Sequence, residues 1–308
     1  MTNTNQCSWD SIIIGYIKHG KPEHALTLYK NIKEDYFAHI GARTIVALLK
    51  ACAKKKDLHR GIQLHATIVK KGLLEKNLHV ANTLMIMYSK CGMLAKAQEI
   101  MENIPFRDVI SWSALIGGYV QQGQCDEAMN CYQHMLCEGI VPDAITFTCI
   151  LKACASMQDI VLCRLIHEII IEAEFEKETD ISNYLIDTYA KCGSHDESTT
   201  LFRKIREPDV GTWGALIGGY VEHGHTLHAL EMFEEMQCGF VQPNNMLYSC
   251  ILTTCTNEGA ILQGRVIHAQ IIRDEFESDV IIGTALIDMY AKYGSMEEAR
   301  NVFHRLKD

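Results

Sequence analysis

The sequence predicts an all-α fold, a solenoid of helix-turn-helix repeats, and three observations carry that expectation. The stretch DVISWSALIGGYVQQG at 108–123 returns almost unchanged as DVGTWGALIGGYVEHG at 209–224, with a weaker copy, CSWDSIIIGYIKHG, near the N-terminus. Apolar residues within these stretches recur at helical spacing. Each stretch ends on a glycine, and a second helical pattern follows it. Units that return at fixed spacing stack, because neighbours bury faces that no unit can bury alone.

Taken in order, Trp9, Trp112 and Trp213 mark a first kind of unit that recurs about every 100 residues. In its second copy Trp112, Leu115, Ile116, Tyr119 and Val120 share one helical face at i, i+3, i+4, i+7 and i+8. Gly123 ends that helix, and a second begins near Asp126 with Ala128, Tyr132 and Met135 facing inward. The next kind of unit reads LLKACAKKKDLHRGIQLH, ILKACASMQDIVLCRLIH and ILTTCTNEGAILQGRVIH, closing on His65, His167 and His268. The third reads NTLMIMYSKCGMLAKAQEIM, NYLIDTYAKCGSHDESTTLF and TALIDMYAKYGSMEEARNVF. Three unlike units run three times. They divide the chain into about nine motifs, at 6–41, 42–77, 78–108, 109–143, 144–178, 179–209, 210–244, 245–279 and 280–308, the last incomplete.

Composition agrees with a repeat array. A chain of 308 residues, 48% hydrophobic, exceeds the size at which one core keeps growing, and repeats escape that limit. Only 5 Pro and no Ser/Gly-rich tract interrupt it, so no linker is expected. The longest apolar runs, such as IIIGYI and IHEIIIEA, fall far short of the ~20 residues that cross a bilayer, and no membrane partner is expected. The 13 cysteines follow the repeat: Cys52, Cys154 and Cys255 recur in step, and Tyr293 stands where Cys91 and Cys192 stand. They are expected to be buried, reduced thiols acting as small apolar residues. A net charge of −9 argues against indiscriminate binding to nucleic acid or anionic membrane. A local basic track is still open to the chain through Lys50, Lys90, Lys152 and Lys191, which recur at matched positions in the first helices.

The sequence offers no catalytic or metal-binding signature. No C-x-x-C pair exists, and His223, His225 and His228 fall at a helix-turn-helix junction where i and i+2 share no face, so no metal is expected. His65, His167 and His268 recur with their unit and carry no carboxylate or cysteine at fixed spacing. Gly117-Gly118 and Gly218-Gly219 lie inside helical patterns rather than after a strand, which points to close helix packing and not to a phosphate loop. No enzyme activity, cofactor or small-molecule substrate is expected.

The stretches DVISWSALIGGYVQQGQCDEAMNCYQHMLCEGIVPD, ITFTCILKACASMQDIVLCRLIH and TALIDMYAKYGSMEEARNVF resemble a pentatricopeptide repeat protein of the plant subclass that alternates standard, long and short motifs. The resemblance covers practically the whole chain. It implies a right-handed α-solenoid that binds single-stranded RNA, one base per motif, read by the fifth and last residues of each motif. Polar side chains on rigid helices suit the exposed edges of unstacked bases. The resemblance assigns Asn82 with Asp108 to U, Ser113 with Asp143 to G, and Asn183 with Asp209 to U. Gly214 with Asn244 leaves only Asn to favour A, and Ser249 with Asp279 reads G. Val46 with Asn77 and Thr148 with Glu178 are unassigned, Asp10 with Gly41 departs from the pattern, and Thr284 lacks its partner.

By the same resemblance, an apolar second residue separates neighbouring bases. Ile110, Ile145, Met246 and Ile281 fill that place, whereas His79, Asp180 and Gly211 depart from it. The family implies action on mitochondrial or chloroplast transcripts, as a specificity factor for C-to-U editing with a deaminase or accessory factor in trans, or in other RNA processing. MTNTNQCSWDS enters the first repeat within a few residues, leaving no room for a transit peptide, and the last motif stops short; a fragment of a longer protein is therefore expected. Two alternatives stay open. Asn82, Asn183, Asp108, Asp143 and Asp209 also read as ordinary helix caps, and the array also suits a scaffold that binds a peptide or helix on its concave face.

Overall fold

A computed structural model describes residues 3–31 and 40–306, with the side chains of residues 3–9, 30, 31 and 258 outside the description, so the Trp9 expectation lies outside it. Among the described residues the regular elements are all helices, with no strand. Helices α1 (Asn3–Lys18) and α2 (Pro22–Asn31) form the first hairpin, and α3 (Ala42–Lys55) and α4 (Leu58–Lys70) the second. A single turn, α5 (Leu73–Lys76), leads into α6 (Leu78–Lys90) and α7 (Leu94–Asn103), then α8 (Val109–Gln121) and α9 (Cys125–Cys137), then α10 (Ala144–Met157) and α11 (Ile160–Glu172). The remaining hairpins pair α12 (Thr179–Lys191) with α13 (His195–Lys204), α14 (Val210–Glu222) with α15 (Thr226–Cys238), α16 (Asn245–Glu258) with α17 (Ile261–Arg273), and α18 (Val280–Lys292) with α19 (Met296–Arg305).

The chain divides into two compact units, Met1–Ala153 and Cys154–Asp308. In the first, α1, α3, α6 and α8 pack side by side as one row, and each also packs on its own second helix. In the second, α12, α14, α16 and α18 form such a row, again with the second helices outside it. A first helix is therefore buried on several sides. In α8, Trp112, Leu115, Ile116 and Tyr119 are all buried, and Val120 is half-buried. A second helix buries one stripe only: Ala128, Tyr132 and Met135 of α9 face in, as the spacing predicts.

Turn chemistry ends the helices where the sequence says. Gly123 and Gly224 close α8 and α14 at φ 73° and 72°, a left-handed conformation that costs glycine nothing. The helix glycines answer to packing. A Cβ on Gly219 would lie 2.1 Å from Cβ of Ala190 on α12, and one on Gly118 would lie 2.7 Å from Cβ of Ser89 on α6. Only the second glycine of each pair makes such an approach, since Gly218 has nothing within 4 Å and Gly117 meets only the Cys149 Sγ at 3.3 Å.

The cysteines are free thiols among the described residues. Cys52 and Cys255 are buried, and burial pushes their thiols up to about 12 and about 11. Cys137 and Cys238 are exposed, so the expectation of buried thiols fails for these two, which sit at the C-terminal ends of α9 and α15. Tyr293 in the cysteine slot donates its hydroxyl to the carbonyls of Cys255 at 2.8 Å and Thr256 at 3.0 Å. Cys192 approaches the matching carbonyl, that of Cys154, at 4.0 Å.

Candidate nucleic-acid interface

At three junctions between motifs, α6–α8, α8–α10 and α12–α14, the fold brings together three positions: the fifth residue of one first helix, the residue that caps the next first helix, and a residue one turn into that helix. At the α6–α8 junction, Asn82 is buried and its Nδ2 donates to Asp108 Oδ1 at 3.0 Å. Asp108 caps α8 by accepting from the Ser111 backbone N–H at 2.8 Å. The Ser111 hydroxyl lies 2.8 Å from both Asn82 Oδ1 and Asp108 Oδ1. Burial opposes ionisation of Asp108, yet the hydrogen bonds from Ser111 and Asn82 outweigh it and hold the carboxyl below its ordinary value.

The next junction is looser, since the Ser113 hydroxyl donates to the Val109 carbonyl of its own helix at 2.6 Å. Ser113 Oγ lies 2.9 Å from Thr146 Oγ1 and 3.5 Å from Asp143 Oδ1, and Asp143 accepts the Thr146 N–H and hydroxyl at 2.8 and 2.7 Å. In the second unit, the Thr212 hydroxyl donates to Asn183 Oδ1 at 2.7 Å and lies 2.8 Å from Asp209 Oδ1, which also accepts the Thr212 N–H. The Thr212 bonds, with a further one from Asn183, hold the Asp209 carboxyl below its ordinary value. A simpler version serves the first motif, where Asp10 Oδ1 accepts the Thr44 hydroxyl at 2.5 Å beside Gly41.

Other expected pairs are not joined in this way. Asp279 caps α18 and accepts from Asn245 Nδ2 at 2.9 Å, and among the described residues no hydrogen bond links it to Ser249. Asn244 caps α16 through the Leu247 N–H at 2.9 Å, opposite Gly214, which has no side chain to offer. Thr284 donates to the Val280 carbonyl at 2.7 Å. Capping is real for Asp108, Asp143 and Asp209, but Asn82 and Asn183 lie inside α6 and α12 and cap nothing. For the aspartates, capping and pairing coexist.

The apolar second residues stand out into solvent: Ile110 is 50% exposed, Ile145 63%, Met246 64% and Ile281 47%. A residue seven or eleven places further on returns to the same helical face. Counted from the second residues Arg43, His79, Ile145 and Asp180, those places hold Lys50, Lys90 and Lys152, all exposed, and Lys191, which pairs with Asp187 at 2.9 Å. In α8, α14 and α16 the matching places hold Gly117 and Gln121, Gly218 and Glu222, and Thr253 and Asn257, so no cation falls there. A cleft in the first unit is lined by Arg43, Val46, Lys50, Asn77 and His79, with Ile14, Ile17 and Lys18 beside them.

The histidines have structural partners. His65, His167 and His268 bond through Nδ1 to the hydroxyls of Tyr88, Tyr189 and Tyr290 at 2.8, 2.9 and 2.8 Å, tying each unit of the second kind to the unit of the third kind after it. His195 gathers with His223 and His225 at ring separations of 5.0 and 4.7 Å and stacks on Tyr220 at 4.8 Å. Among the described residues no group of three or more His, Cys, Asp or Glu is arranged to hold a metal, and no helix is long and apolar enough to cross a membrane. Sequence reasoning missed His195 and the hydroxyls of Ser111, Thr146 and Thr212. The hydroxyls carried a signal, a D-x-x-S/T spacing of the capping-box kind.

A PPR repeat family model matches residues 107–156 and 208–257, and a PPR repeat model matches residues 7–37, 80–108, 181–209 and 284–308. A chloroplastic pentatricopeptide repeat-containing protein of Arabidopsis thaliana is 31% identical over 310 residues, covering 99% of this chain and 49% of the relative. A mitochondrial one from the same plant is 30% identical over 310 residues, covering 100% and 45%. The chain thus spans less than half the length of these relatives. Among solved structures, the pentatricopeptide repeat protein PPR10 from maize superposes with a TM-score of 0.72 at 18% identity, over 98% of this chain and 43% of that one. PPR10 in complex with an 18-nt psaJ RNA element gives 0.76 at 18% identity, covering 98% and 45%. Repeat by repeat and fold by fold, the chain belongs to the pentatricopeptide repeat family.

Proposed function

We propose that this chain binds single-stranded RNA in a sequence-specific way, one base per motif, as a member of the subclass that alternates standard, long and short motifs. The observation that carries the reading is the meeting of polar residues across motif junctions. Asn82 with Asp108, Ser113 with Asp143 and Asn183 with Asp209 each join a side chain from mid-helix to the cap of the next helix. Capping alone requires the aspartates and leaves Asn82 and Asn183 unexplained. The solvent-facing Ile110, Ile145, Met246 and Ile281 then serve as separators between bases, and Lys50, Lys90 and Lys152 draw the phosphate backbone to a chain whose net charge is −9. That PPR10 is solved with a bound RNA element supports the same use of the fold.

The reading order is U, G, an unassigned base, U, A and G along the motifs from 78 to 279. Relatives named chloroplastic and mitochondrial support action on organellar transcripts, and the subclass supports a role in marking cytidines for C-to-U editing, with the deaminase supplied in trans. Selection of bound species from a random single-stranded RNA pool tests base reading. Enrichment of U-G-N-U is expected, with the last U moving to G in Asn183→Ser, where Ser joins Asp209. A folded, helical chain that enriches nothing at modest salt overturns it.

A further inference from the structure

We infer that Ser111 and Thr212 are specificity-determining positioning residues for the motifs that precede them, with Thr146 in the same place for Ser113. The inference rests on the base reading proposed above and adds to it a residue outside the two-residue pairs. An asparagine amide has one acceptor and two donors on the side-chain nitrogen. At Asn82 the acceptor Oδ1 faces the Ser111 hydroxyl at 2.8 Å and one N–H goes to Asp108 Oδ1 at 3.0 Å. At Asn183 Oδ1 accepts the Thr212 hydroxyl at 2.7 Å, and Asp209 again lies alongside. Both amides are therefore held in one sense, with the remaining N–H as the group left for a base.

That sense has a chemical consequence. Uracil carries a carbonyl acceptor at C4 where cytosine carries an amino donor, so an amide fixed with its N–H outward meets an acceptor on one and a donor on the other. Rotating the amide would set its carbonyl against the Asp carboxylate and take Oδ1 from its hydroxyl. The hydroxyl thus opposes the rotation that would suit cytosine. Ser249 supplies the contrast. It carries a polar side chain at the fifth position, but Ile282 replaces the hydroxyl one turn into the next helix, and no hydrogen bond links Ser249 to Asp279 among the described residues.

The test uses the whole chain and pairs of RNAs that differ only by U or C at the base opposite the Asn183 motif. Thr212→Val keeps shape and removes the hydroxyl; Thr212→Ser restores it. The U-over-C affinity ratio is expected to fall roughly five- to tenfold in Thr212→Val, the loss of about one hydrogen bond, to be kept in Thr212→Ser, and to stay unchanged at the Asn82 motif. A folded Thr212→Val that keeps its ratio while Asn183→Ser shifts preference overturns the positioning role and leaves base reading intact. A wild-type chain that separates U from C at neither motif removes base reading and this inference together. Should Thr212→Val melt, Ser111→Ala read at the Asn82 motif decides by the same ratio.

Discussion

Gly218 and Gly219 are neighbours on α14 and differ in what a methyl group would meet. At 219 it would press on Ala190 Cβ at 2.1 Å and on its Cα at 3.1 Å, which is backbone and cannot swing aside. At 218 the space is open. Gly219→Ala is therefore expected to lower stability by about 1–3 kcal/mol through overpacking. Gly218→Ala is expected to raise it by about 0.5–1 kcal/mol, because alanine loses less entropy on entering a helix. Urea midpoints of the two variants, with Ala190→Gly added to the first as a partial rescue, check both signs. The glycine pair was legible in the sequence as a packing device, but not which member does the packing, since that depends on the rotation of α14 against α12. The hydroxyls of Ser111, Thr146 and Thr212 were passed over for a similar reason. Their spacing reads as part of a helix cap, and only the fold carries them to Asn82, Ser113 and Asn183 of the preceding motifs.

At the scale of the element, the three cycles solve one contact in two ways. A Cβ at Gly61 on α4 would lie 2.5 Å from Met87 Sδ on α6, and one at Gly264 on α17 would lie 2.2 Å from Met289 Sδ on α18. The middle cycle has Cys163 on α11 and Thr188 on α12 in the matching places, both buried. A large side chain on one helix faces none on the other, or two medium ones share the space. Gly264→Cys alone is expected to overpack and cost about 1–3 kcal/mol, and Met289→Thr alone to leave a cavity and cost about 2 kcal/mol or more. The pair should recover part of the loss, with a coupling of about 0.5–3 kcal/mol in a double-mutant cycle. Strictly additive losses would separate the two positions. This exchange was written in the sequence as a covariation among internal copies, hidden because the two positions lie in different motifs.

Over the whole molecule, the all-helical repeat fold was legible because a three-beat pattern shows each kind of unit three times, and the junction pairs were legible only through family resemblance. What sequence did not show is the protonation chemistry that the stacked hairpins create. Burial holds His65, His167 and His268 below the ordinary imidazole value, and His195 is lowered by burial and then by His225 and His223 around it. A histidine kept neutral by the fold contributes stability that is fully present above its unfolded value of 6.5 and is lost as pH falls through its lower folded value. Asp108 and Asp209 lie below their ordinary 3.8, so their contribution persists through that window and is lost only in stronger acid. Lowering pH also relieves the net charge of −9, which acts in the opposite direction. Comparing variants separates the two effects. His195→Phe keeps a ring to stack on Tyr220 and cannot take a proton, so its urea midpoint is expected to fall less between pH 7.5 and 5 than that of the wild type, all the other groups being unchanged. Parallel pH profiles for the two proteins would show that the histidine cluster carries none of the acid sensitivity.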